Sequence, residues 1–269
     1  MSGRTALVTG AGRGIGRAIA FALADAGAAV AAVARSRAEV GETAALVNGK
    51  GGRAIGLGAD VADRAAVESV TAETENVLGP IDILVNNAGT GGPNLPLWEA
   101  DPDDWWRAVE VNLRGPMLFA RAALPSMIRR RSGTIVNVGS YAGIRASTDA
   151  SLVGGAYPTS KAALVRFTDT LAATTEKYDV RVFTISPGLV RTAMTEAVDG
   201  LQSIPESEWS RPEAAASLVV RLATSRGTAL NGRFIHVHDD LDEMLSEADR
   251  IEAENLYTLR LNNLSGAVT

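Results

Sequence analysis

The chain of 269 residues contains no cysteine and only two histidines. Disulfides and thiolate metal sites are excluded, and the lack of thiols suits a reducing compartment, so a cytoplasmic location is expected. Basic excess is also missing. Twenty-six lysine and arginine residues face 31 aspartate and glutamate residues, a net charge of -5, which argues against a nucleic-acid partner. No Ser/Pro-rich linker or internal repeat divides the sequence, and residues 1–269 are expected to form one domain. The stretch closest to a membrane span, Ala18 to Ala34, is interrupted by Asp25 and Gly27 and consists largely of alanine, whose transfer energy is small. It reads as a helix followed by a buried strand, and no membrane association is expected. Met1 to Arg4 lead directly into the apolar residues Ala6-Leu7-Val8, with no sign of a signal peptide.

What the chain has is alternation. Short apolar runs at Ala6–Val8, Ala29–Ala34, Ala54–Gly58, Ile83–Val85, Thr134–Val138, Arg181–Ile185 and Phe234–Val237 are separated by segments mostly long enough for a crossover helix. This predicts a single doubly wound α/β sheet of about seven parallel strands with helices on both faces. Its ligand is expected at the carboxyl ends of the strands. Charge is unevenly spread. Between Asp239 and Glu254 eight acids meet only Arg250, so this segment carries -7 and the remainder +2. Leu241, Met244, Leu245, Ala248 and Ile251 recur there at helical spacing, which predicts an acidic C-terminal helix docked by an apolar stripe, within a C-terminal region spanning 239–269.

The first strand runs into Thr9-Gly10-Ala11-Gly12-Arg13-Gly14-Ile15-Gly16, followed by a helical pattern. Glycines in such a turn let backbone N–H groups at a helix N-terminus approach a pyrophosphate. A P-loop is excluded because no Lys-Ser/Thr pair follows, and G-x-G-x-x-G fails because positions 15 and 17 are Ile and Arg. What remains is T-G-x-x-x-G-x-G. Farther along, Tyr157 and Lys161 lie four residues apart and so share a helix face. An ammonium beside a phenol is expected to lower its pKa from about 10 and make it a general acid or base.

Thr9 to Gly16, Asn86-Asn87-Ala88-Gly89, Ser140, Tyr157-x-x-x-Lys161 and Pro187-Gly188 occur in the order and approximate spacing of the short-chain dehydrogenase/reductase family, which the chain resembles from about Arg4 to Val237. The resemblance implies a Rossmann-like fold and a nicotinamide-dependent oxidoreductase with Tyr157 as proton donor or acceptor. Lys161 would assist Tyr157 and hold the nicotinamide ribose. Ser140 would bind the substrate carbonyl, and Asn112 would hold a water in a proton relay. It further implies cofactor contacts from Gly10, Arg13, Gly14, Ile15 and Gly16, from Arg35 and Ser36, from Asp60 and Val61 near the adenine, from Asn87, Ala88 and Gly89, and from Pro187, Gly188, Val190 and Thr192 near the carboxamide. Asn86 would contact the adenosine ribose or brace the sheet. A dimer or tetramer is implied, formed through the helices carrying Asn112 and Tyr157; Val109, Leu113, Leu118, Leu164 and Phe167 suit such an interface or, equally, the sheet.

The second strand ends in Val33-Ala34-Arg35-Ser36-Arg37, with no acid before Glu39. Because an acid there suits a ribose 2'-hydroxyl and arginine a 2'-phosphate, Arg35, Arg37 and Arg13 predict NADP(H) over NAD(H). The substrate is expected to be a small ketone or secondary alcohol bordered by Leu95, Leu97, Trp98, Ile144, Leu152, Leu189 and Met194. A 3-oxoacyl thioester or polyketide is the alternative, as are isomerisation or dehydration. A dinucleotide-binding regulatory protein without turnover is the competing class. Two departures from the family pattern stand out: an extra loop at Ser147–Gly155, and His236-Val237-His238-Asp239-Asp240 where Asp-Gly-Gly is usual. His236 and His238 are expected on one strand face. Without a further His or Cys, no metal site is predicted.

Overall fold

The computed structural model describes residues 1–145, 155–196, 198, 200–225 and 229–260, with the backbone of 262–263 and 266–267. Seven parallel strands form one sheet in the order β3-β2-β1-β4-β5-β6-β7. They are β1 (Thr5–Thr9), β2 (Ala29–Ala34), β3 (Arg53–Gly58), β4 (Ile81–Asn86), β5 (Gly133–Val138), β6 (Val180–Ser186) and β7 (Phe234–His236). Every residue of β1 and β5 is buried, as required of central strands covered on both faces.

On one face α1 (Gly14–Asp25), α2 (Arg37–Gly49) and α8 (Pro212–Thr224) cover an apolar layer of Ile19, Leu23, Val40, Val85, Val219 and Leu222. On the other, α3 (Arg64–Leu78), α5 (Gly115–Arg130) and α6 (Ala156–Thr175) pack around Leu7, Val67, Leu84, Phe119 and Met127. The alanine-rich stretch divides as predicted: α1 ends at Asp25, Gly27 turns with φ +92°, and β2 follows. Strand order reverses between β1 and β4, and the crevice beyond their carboxyl ends is the topological switch point of this architecture.

The acidic C-terminal segment is not one helix. It forms α9 (Leu241–Ser246) and α10 (Ala248–Ala253), parted at Glu247, whose φ of -101° and ψ of 17° leave the helical region. Asp240 caps the first by accepting from the amides of Asp242 and Glu243. Leu241, Met244 and Ile251 are buried against the α1 and α8 layer, whereas Leu245 is exposed. Farther on, the Tyr157-bearing α6 is tied to the C-terminal region by Arg260, whose guanidinium grips Asp169 at 2.8 and 3.1 Å. No helix among the described residues is long and apolar enough to cross a membrane.

Candidate active site

The glycine octet closes β1 onto α1, and β4 holds it from the side. Thr9 Oγ1 accepts from the amides of Asn87 and Ala88, both at 3.0 Å, while Asn87 Nδ2 donates to the Thr9 carbonyl at 2.9 Å. Gly10 has φ +65°, and a Cβ on Gly16 would lie 2.2 Å from the Gly10 carbonyl oxygen. Any side chain at position 16 would therefore force the turn apart. Asn86, one residue earlier, turns inward: its Nδ2 donates to Asn137 Oδ1 at 2.8 Å across the paired register of β4 and β5. Asn137 passes the network to Thr168 on α6. Asn86 thus braces the sheet, and Asn87 holds the glycine turn.

A cavity of about 900 Å³ follows the carboxyl edge of the sheet. It is lined by Gly10, Arg13, Gly14, Ile15 and Gly16 on the glycine turn, by Arg35 and Ser36 after β2, and by Asp60 and Val61 after β3. Asn87, Ala88 and Gly89 after β4, Tyr157 and Lys161 on α6, and Pro187, Gly188, Val190 and Thr192 after β6 complete the same wall. Arg37 does not line it. Its side chain lies across Gly58 on β3, so the arginines facing the cavity near the end of β2 are Arg13 and Arg35. Asp60 is held by an ion pair with Arg107 of α4 (Pro102–Val109), which also meets Glu110 at 3.2 Å. Arg107 lines the cavity but was not singled out from the sequence, because its meeting with Asp60 joins positions 47 residues apart.

At the other end of this edge, Ser140 follows β5 in extended backbone and caps the short turn Tyr141–Gly143, accepting from Ala142 N at 3.2 Å. Its hydroxyl is hydrogen-bonded to that of Tyr157. Lys161 is buried at 4% exposure; its Nζ donates to the Val138 carbonyl at 2.7 Å and lies 5.6 Å from the centre of the Tyr157 ring. Burial pushes the ammonium down to about 8. The expectation that Lys161 lowers the Tyr157 pKa is not met by the protein's own groups: burial raises it, and the Ser140 hydrogen bond only partly offsets that. The physical reason is that the two side chains share a poorly solvated wall, where loss of water disfavours the phenolate more than the Ser140 hydrogen bond favours it.

Asn112 sits in a π-turn, Glu110–Arg114, inserted between α4 and α5. The wide turn directs its amide across the helix to Thr90: Oδ1 accepts from Thr90 N at 2.9 Å, and Nδ2 donates to Thr90 O at 2.8 Å and to Ser160 Oγ at 2.9 Å. A Cβ on Gly89 would fall 3.2 Å from Asn112 Oδ1 and 3.7 Å from Lys161 Nζ, so the glycine keeps the space between them open.

Of the apolar residues expected around a substrate, Met194 lines the cavity; Leu95, Leu97, Trp98 and Ile144 are exposed and do not line it, nor does Leu189, which is half-buried and paired with Trp209. Leu152 and positions 147–154 of the extra loop lie outside the described residues. The histidines do not share a strand face, because β7 ends at His236. The His236 ring lies 4.5 Å from Tyr141 and meets His238 edge-on at 4.8 Å. His238 Nε2 is 3.3 Å from Ser210 Oγ. Burial, with His238 beside it, holds the His236 pKa below its ordinary value.

Fold and site together define a dinucleotide-binding α/β protein with a serine, a tyrosine and a lysine converging beside the cavity. The short chain dehydrogenase family model matches residues 4–201, and the chain belongs to that family. It is an oxidoreductase of the kind that interconverts CH–OH and C=O groups. Relatives include a short chain dehydrogenase of Pseudocercospora fijiensis, 35% identical over 98% of this chain and 91% of that protein. A 3-oxoacyl-[acyl-carrier-protein] reductase of Vibrio harveyi is 35% identical over 88% of this chain and 97% of its own. Among solved structures, a metagenomic short-chain oxidoreductase in complex with NADP superposes with a TM-score of 0.72 at 33% identity, covering 84% of this chain and 93% of its own. NAD+-bound xylitol dehydrogenase gives 0.79 at 28%, covering 87% and 97%.

Proposed function

We propose that the protein is an NADP(H)-dependent carbonyl reductase or secondary alcohol dehydrogenase in which Tyr157 exchanges a proton with the substrate oxygen. The observation that carries this reading is the placement of Ser140, Tyr157 and buried Lys161 at one end of a cavity whose other end presents Arg13 and Arg35. The cavity fits a dinucleotide: Gly16 leaves a cradle that a Cβ would fill, and the α1 N-terminus opens beside it, where backbone N–H groups favour an anion. A bound nicotinamide supplies the hydride acceptor or donor. The Ser140 hydroxyl hydrogen-bonds the substrate carbonyl and steadies charge developing on its oxygen. Tyr157 then delivers its proton, and Lys161 holds the ribose hydroxyls and replaces that proton, with Asn112 ordering water in the gap beside Gly89. Because burial keeps the Tyr157 phenol protonated, the residues suit carbonyl reduction.

The preference for NADP(H) is supported by two guanidinium groups at the cavity wall and by the absence of an acid ending β2. A ketone or secondary alcohol is the substrate this reading takes, in a cytoplasmic setting. A 3-oxoacyl thioester is the second reading, favoured by the Vibrio harveyi relative. The test is the change in reduced-nicotinamide absorbance with NADPH and then NADH over ketones, diketones and acyl thioesters. Turnover is expected with NADPH foremost, and Arg35→Asp is expected to shift preference towards NADH; an unmoved preference would sink the NADP(H) assignment.

A homo-oligomer, dimer or tetramer, is part of the same proposal. Leu118 and Leu164 are buried within the chain, but Val109, Leu113 and Phe167 remain half-exposed on the helices carrying Asn112 and Tyr157, and Trp106 is 58% exposed beside them. Light scattering is expected to report at least twice the 28.0 kDa chain mass, and a monomer would refute it.

A further inference from the structure

The cofactor cavity contains an acid that none of these roles uses. Glu39 stands three residues after Ser36, the N-cap of α2, the spacing at which a glutamate normally reaches back to the cap's own amide. Only half of that exchange is present. Ser36 Oγ accepts from Glu39 N at 3.3 Å, while the Glu39 side chain turns to the glycine loop, where a Cβ built on Gly12 would be 2.8 Å from both Glu39 Oε2 and Glu39 Cβ. Among the described residues no lysine or arginine pairs with this carboxylate. Arg17, which reaches the same loop, gives its Nε to the Gly12 carbonyl at 2.8 Å and its Nη2 to Glu42. Glu39 lines the cavity together with Gly12, Arg13, Arg35 and Ser36.

We propose that Glu39 is a specificity-determining residue for the dinucleotide: its carboxylate accepts hydrogen bonds from the adenosine ribose hydroxyls and opposes a 2'-phosphate, limiting the NADP(H) preference that Arg13 and Arg35 create. The proposal rests on the reading of this cavity as a nicotinamide-dinucleotide site. An ionised carboxylate is an acceptor only, so it matches a ribose hydroxyl, which has a proton to give, and repels a phosphate dianion, which has none. Two arginines and one unpaired acid at the same wall set the balance between the cofactors by the difference of their effects. Sequence reasoning stops at Arg35 because the usual acid position, at the strand end, is arginine here; Glu39 enters from the first turn of the next helix.

Calorimetric binding of NADP+ and of NAD+ to the full chain tests this without requiring turnover. Glu39→Gln keeps the side-chain length and the main-chain bond to Ser36, and is expected to raise the ratio of the NAD+ to the NADP+ dissociation constant about tenfold. Glu39→Ala is expected to move the ratio the same way and serves as the second variant. Glu42→Gln, whose carboxylate pairs with Arg17 outside the cavity wall, is expected to leave it unchanged. If both dinucleotides bind the parent but neither Glu39 variant moves the ratio by more than about twofold, or if Glu42→Gln moves it equally, the assignment of Glu39 fails alone. If the parent binds neither dinucleotide, the reading of the cavity fails and this proposal with it.

Discussion

Replacing Tyr157 by phenylalanine is expected to lower turnover about a thousandfold while leaving the protein folded and able to bind its cofactor. Proton transfer by a positioned side chain contributes about 10²–10⁴-fold, and the ammonium at this wall, Lys161, directs its Nζ to the Val138 carbonyl rather than to the substrate position. Ser140 is hydrogen-bonded to Tyr157 and can polarise a carbonyl, but an alcohol is a much weaker acid than a phenol. The ring of Tyr157 packs as before in the variant, and a single hydroxyl hydrogen bond is lost, worth about 1 kcal/mol. Steady-state rates by nicotinamide absorbance, read beside the thermal midpoint and the dissociation constant for NADP+, check all three parts. A variant retaining more than a tenth of the parent rate would remove Tyr157 from the proton-transfer role.

Lys161→Met should abolish most turnover and at the same time stabilise the protein near neutral pH. In the parent, burial lowers the ammonium from 10.5 to about 8, which corresponds to about 3 kcal/mol of unfavourable burial for the charged form. Removing the charge relieves that, and methionine fills a similar space. Against it, the Val138 carbonyl loses the donor now 2.7 Å away, at a cost of about 1–3 kcal/mol, so a net gain of about 1 kcal/mol is expected. For a chain of this size that is a rise of about 2–4 °C in Tm at pH 7. The pH dependence has a definite sign. Between about 8 and 10.5 the unfolded parent keeps the proton that the folded parent has lost, so parent stability rises with pH through that window. The advantage of Lys161→Met should therefore shrink as pH rises from 8 towards 10.5. A variant several degrees less stable than the parent at pH 7, or one whose difference from the parent ignores pH, would show that Lys161 is not a strained buried charge.

Lys161 also shows how far residue spacing reaches. Four positions of separation place Tyr157 and Lys161 on one helix face whatever the rest of the chain does, because helix geometry is local. The alternation of apolar runs likewise determined the seven-stranded sheet, with strand limits within about two residues, since burial on both faces demands continuous apolar strands. The glycine octet determined the turn after β1, because the approach of Gly16 to the Gly10 carbonyl admits no side chain. These features need only the neighbours in the chain.

What only the tertiary structure decided were the partners that the fold brings from afar. Burial, rather than the neighbouring ammonium, set the direction of the Tyr157 pKa, because desolvation depends on everything packed around the phenol. Asp60 met Arg107, Arg37 turned onto Gly58 while Arg13 and Arg35 stayed at the cavity, and the Glu39 side chain came to lie beside Gly12. The acidic tail parted at Glu247 into two short helices, with Leu241, Met244 and Ile251 buried and Leu245 left exposed. Periodicity and turn chemistry are written into adjacent residues. The balance of charge, solvent and contact at a site is a property of the folded chain, where residues far apart in sequence share one wall.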